Sequence, residues 1–166
     1  MHTWILALRI VHVGLGTFWA GTVFFSSLIL FPRLKRLGPG IENPVMRSLM
    51  AVASPVMAAS SVLVLVTGVA LVHLMGAFGS LLTTPWGQAI SVGFAATALA
   101  IVVGASVLAP AGMRLDRILS GLGGRDPGPE ETRTLRALAD RVEFFDRINC
   151  ALVLIATGAM AVARLL

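Results

Sequence analysis

The residues best suited to chemistry lie close together near the start of the chain: Arg9, His12, Gly14, Gly16, Trp19 and Gly21, within an apolar run from Trp4 to Phe31. A cation and an imidazole in a segment long enough to cross a bilayer are costly unless partnered, so each marks a functional site by default. The chain has three histidines, and His73 lies near the far end of the second apolar run. Imidazoles on different helices offer nitrogen ligands for iron. Arg9 and Arg164 can pair with propionate carboxylates, and Gly14, Gly16, Gly21 and Gly68 leave room for a macrocycle. The candidate set is therefore His12 and His73 as metal or haem-iron ligands, with Arg9, Arg164, Trp19 and Gly16 around the cofactor. The competing reading makes His12 a hydrogen-bond partner of a neighbouring helix and His73 an interfacial residue.

These residues need a scaffold, and composition supplies its class. The chain has 166 residues, of which 57% are apolar and 13% charged, with no tyrosine. Its mean hydropathy is +0.89, far above that of a soluble domain, in which roughly half of the residues are apolar. At about 20 residues per membrane helix, four apolar segments use about half of the chain. The pattern predicts an all-α polytopic membrane protein, an antiparallel four-transmembrane-helix bundle forming one domain. The spans fall at about 4–31, 55–75, 86–109 and 148–163, with a polar helical hairpin at about 111–147. The first segment is too long for a signal peptide and is expected in the mature protein. A single cysteine, Cys150, excludes disulfide frameworks and multi-cysteine metal sites.

Local signals mark the ends of these elements. Pro32 is expected to stop segment one, Gly38-Pro39-Gly40 to form a turn, and Asn43 to cap a lead-in to segment two that kinks at Pro55. Thr84 and Pro85 read as cap and first turn of segment three, with Trp86 at interface level. Ala96, Ala100 and Gly104 make a smooth stripe for close packing within the bundle. Pro110 is placed at a kink, Gly123-Gly124 ends the first arm of the hairpin, and Glu130 and Glu131 open a helix continuing into segment four. Arg136 with Asp140 and Glu143 with Arg147 are spaced as opposite-charge pairs on its wet side.

The net charge of +5 reports topology rather than nucleic-acid binding, because every lysine and arginine except Arg9 and Arg164 falls in the first or third polar connection. The second connection, Gly76 to Thr84, has no charge. By the positive-inside tendency both termini face outward and the Arg-rich loops are cytoplasmic. His12 then lies about 12 Å along the helix from Trp4, in the outer leaflet with His73. Copper is the alternative metal. Met57, Met75, Met113 and Met160 form no Met-x-x-Met run and read as packing. Asp146, Arg147 and Asn149 read as an interfacial ion pair and a helix–helix hydrogen bond.

At His12, Trp19 and Gly21, followed by Phe31-Pro32-Arg33-Leu34, the chain resembles a group of small bacterial integral membrane proteins. That group includes the CopD-like copper-resistance domains and the HemJ protoporphyrinogen oxidases. The resemblance implies an inner-membrane protein with a haem or porphyrin site at His12, or a role in copper passage. HemJ proteins also use a lysine in the third helix, and no lysine follows Lys35 here, which counts against porphyrinogen oxidation. The leading expectation is a b-type haem (haem b) protein engaged in electron transfer or porphyrin handling, working in the lipid bilayer with a quinone or redox partner. A copper or small-solute transport component and a non-catalytic scaffold subunit are the alternatives. A homo-dimer or larger membrane complex is compatible with each.

Overall fold

In the computed structural model, which describes residues 2–37, 39–123 and 125–166, the regular elements are all helical. Helix α1 (His2–Phe25) passes through a π-helical turn at Ser26–Leu30 into α2 (Phe31–Leu37), and α3 (Pro39–Leu74) returns. A 3-10 turn at Phe78–Ser80 leads to α4 (Pro85–Val103), which passes through a second π turn at Gly104–Leu108 into α5 (Ala109–Gly121). The long α6 (Pro129–Ala163) completes the chain. Four continuous stretches, Thr3–Leu37, Val52–Leu74, Pro85–Gly121 and Pro129–Ala163, are long and apolar enough to cross a membrane. An even number of passes puts both termini at one end of the bundle with residues 76–84. The charged connections lie at the other, polar end.

Pro32 does not stop the first helix. Proline lacks an N–H and its ring crowds the carbonyl four residues back. The chain answers with a wider turn: Phe31 N–H donates to the Ser26 carbonyl, five residues earlier. The same device precedes Pro110, where Ala109 N–H donates to the Gly104 carbonyl. Each π turn thus absorbs a proline within a continuous helix. Likewise α3 starts at Pro39 and contains Pro44 and Pro55. The expected cap at Asn43 is therefore replaced by helix, and the helix runs on through Pro55, where a kink is expected. Packing against neighbours compensates for the lost ladder bonds. Gly38 and Gly124 lie outside the described residues.

The bundle is two helical hairpins packed together. The α4–α6 contact is the most extensive, followed by α1–α3. Ala96 and Ala100 are buried. A Cβ on Gly93 would stand 2.7 Å from Met160 Cε and 3.5 Å from the Ala156 carbonyl, so glycine sets the close approach of α4 to α6. Trp19, Ala20 and Val23 of α1 meet Ala100 of α4 and Val153 of α6 at the centre, flanked by Phe24, Met57, Cys150 and Leu152. The hairpins share a pattern. In each, the first helix carries a π turn followed by X-Pro, and the second carries Thr-Gly, at Thr67-Gly68 and Thr157-Gly158.

At the terminal end, Thr84 caps α4 as expected, its Oγ1 accepting Gly87 N–H at 3.0 Å. Residues 76–84 fold back onto this helix, with Ser91 Oγ donating to the Leu81 carbonyl at 3.1 Å. At the polar end, ion pairs tie the helices together: Lys35 to Glu143 at 2.6 Å and Arg47 to Asp116 at 2.7 Å. Glu143 also takes Arg147 at 2.6 Å, the pair expected from spacing. Among the described residues Arg136 and Asp140 form no such pair. The polar extension is thus built from all four helices, and the hairpin is braced by α2 and α3.

Candidate functional site

His12 is half-buried on α1, facing α3. Its Nδ1 lies 2.9 Å from Thr67 Oγ1. That hydroxyl donates its one proton to the Leu63 carbonyl at 2.6 Å, with the Val64 carbonyl at 3.1 Å. With its proton committed, Oγ1 can only accept from the imidazole. Nδ1 therefore carries the hydrogen, and Nε2 keeps its lone pair. This is the tautomer of a histidine that ligates through Nε2, held by an oxygen behind it as metal-bound histidines commonly are.

Gly68 makes the arrangement possible. A Cβ there would stand 3.1 Å from His12 Cε1, so the Cε1 edge of the ring packs close against bare backbone. One turn along α1 from His12, Gly16 has open space where a side chain would project. Arg9, one turn in the other direction, is exposed.

The other expected site residues lie elsewhere. His73 is exposed, and its ring centre is 6.1 Å from that of Phe78. It follows Thr67 by six residues, about 9 Å along α3 and about 240° around it. The fold therefore does not set His73 opposite His12. Trp19 is in the central packed cluster, 6% exposed. Arg164, beyond the end of α6, is exposed. No group of three histidine, cysteine or carboxylate side chains that could hold a metal ion forms among the described residues.

Sequence reasoning missed Thr67, whereas Gly68 is among the glycines expected to leave room for a cofactor. The two form a polar-and-small pair inside an apolar run, and the height they share with His12 could have drawn attention to Thr67. The orientation of the rings required coordinates.

The fold defines an all-helical membrane protein with four membrane-crossing helices, and the site adds a preoriented imidazole between the first two. No family model, curated protein or solved structure matches the chain.

Proposed function

We propose that the protein is a b-type haem-binding membrane protein, with His12 Nε2 as an axial ligand, serving electron transfer or porphyrin and haem handling. The observation that supports this most is the Nδ1–H donation from His12 to Thr67, which leaves the ring nitrogen on its other edge basic and fixed in orientation. Open space beside Gly16 is compatible with a planar group alongside α1. Arg9, exposed one turn from His12, would pair with a propionate, and Arg164 is a second exposed cation at the same end of the bundle. Bound haem would supply a one-electron couple, tuned by the imidazole and its hydrogen bond to Thr67.

This reading rests on one histidine and leaves His73 at the membrane interface. The distribution of Lys and Arg favours an inner-membrane location with both termini outside and the Arg-rich end in the cytoplasm. Protein expressed with haem supplied should show a Soret band that His12→Ala abolishes and His73→Ala leaves in place. Absence of the band, or its persistence in His12→Ala, overturns the proposal. Copper retained stoichiometrically and lost in His12→Ala, with no Soret band, would favour the transport reading instead.

A further inference from the structure

A second polar constellation lies on the opposite side of the bundle's centre from His12, where α6 enters the apolar core. Asp146, Asn149, Cys150 and Val153 share a face of α6 at helical spacing, and Val153 is completely buried. Asn149 is 9% exposed, and its Oδ1 has no hydrogen-bond partner. Ser27 faces these residues from the first π turn. Its buried hydroxyl interacts with the Asp146 carboxyl and the Cys150 thiol without closing a hydrogen bond to either. Arg147 does not neutralise Asp146, because its guanidinium lies on Glu143 at 2.6 Å. The expected Asp146–Arg147 ion pair is thus absent.

The π turns add to the unmet demand for a positive partner. Phe31 N–H goes to the Ser26 carbonyl and Pro32 has no N–H, so the Ser27 carbonyl loses the donor that either an α or a π ladder would supply. The Ala105 carbonyl loses its donors the same way, between Ala109 and Pro110. Helix α6 packs against both turns. A buried oxygen without a partner costs about 1–3 kcal/mol, and the Ser27 hydroxyl and the Asn149 Oδ1 are two such oxygens. Broken-helix carbonyls and side-chain oxygens together are the donors that hold alkali cations and protons inside membrane bundles.

We propose that Ser27, Asp146 and Asn149, at the level of the two π turns, bind a small monovalent cation, either sodium or a proton carried on the Asp146 carboxyl. The donors are all hard oxygens, which disfavours copper and zinc, and a single carboxylate balances a single charge. The Cys150 thiol is a neighbour and not a ligand. Glu143, the nearest other carboxylate, is occupied by Lys35 and Arg147.

The test uses the full-length protein in lipid nanodiscs. If sodium is the occupant, replacing an inert organic cation with sodium at constant ionic strength and mildly alkaline pH raises Tm. Asp146→Asn and Asn149→Leu then weaken the apparent sodium affinity by about tenfold or more, while Glu143→Gln leaves it unchanged. If a proton is the occupant, sodium has no effect, but a protonated-carboxyl infrared band persists to neutral pH and disappears in Asp146→Asn. Should either variant fail to fold, Ser27→Ala, which removes one oxygen, and Asn149→Asp, which keeps the oxygen and adds charge, provide the comparison. Asn149→Asp is expected to add a Tm response to calcium in the sodium case. The absence of both a sodium response and a band assignable to Asp146 overturns the proposal.

Discussion

Thr67 decides which nitrogen of His12 is free. Because its hydroxyl is already committed to the Leu63 carbonyl, replacing it with valine removes the side-chain acceptor at Nδ1 and loosens the ring. Interhelical hydrogen bonds in membranes are worth about 0.5–2 kcal/mol, so Thr67→Val should lower unfolding stability by about that much, measured by denaturation in mixed micelles. A larger loss would show that Thr67 does more than hold the ring. Two glycines give a sharper contrast. A Cβ at Gly87 would meet the backbone of Ser80 and Leu81, whereas a Cβ at Gly93 would meet the flexible end of Met160 at 2.7 Å. Gly87→Ala should therefore cost about 1–3 kcal/mol, and Gly93→Ala clearly less, because a methionine end can move and a backbone cannot. Equal losses in thermal unfolding would contradict this. The types of these residues could be read along the chain, but their partners could not. Thr67 stands 55 positions from His12, and no local pattern links them.

At the scale of the element, apolar length located the four long helices well, and Thr84 and Glu131 marked two helix starts. Glu131 accepts Gly128 N–H at 2.8 Å and pairs with Arg125. It lies in the polar first turn of α6, outside the apolar stretch. The Arg125 guanidinium, followed by the Gly128 N–H, lowers the Glu131 carboxyl from 4.5 to about 2. Since the folded-state value lies below the ordinary one, the contribution to the helix start is present above pH 4.5 and lost as pH falls toward about 2. Carbon-13 titration of the Glu131 carboxyl should show the depressed midpoint, and Arg125→Ala should move it back up; an unmoved midpoint would remove Arg125 as the cause. Prolines misled the sequence reading. Pro32 is expected to stop a helix and Pro44 to start one, but the chain widens one turn before Pro32, and Pro44 lies inside a helix that starts at Pro39.

For the whole molecule, cross-helix ion pairs hold the polar end and small-residue contacts hold the apolar one. Lys35 and Glu143 are 62% and 40% exposed, so solvent screens their attraction, and Lys35→Ala should cost under about 1 kcal/mol. A larger loss in thermal unfolding would show that the pair acts in a network. The proposed orientation predicts that, in a Cys150→Ser background, a cysteine at Thr83 reacts with membrane-impermeant maleimide in intact cells. A cysteine at Asp126 should react only after permeabilisation. The opposite result would invert the topology. Sequence alone determined the class, because four long apolar segments with few charges have no stable alternative to helices whose backbone groups pair internally, as lipid offers no other partners. It also determined that His12 needs a partner. Only the tertiary structure decided that the partner is Thr67, that His73 is not opposite, and that Ser27 meets Asp146. Those facts depend on how each helix is rotated about its axis, which is fixed by the fit of side chains across 55 or more positions of chain and by the extra residue in each π turn.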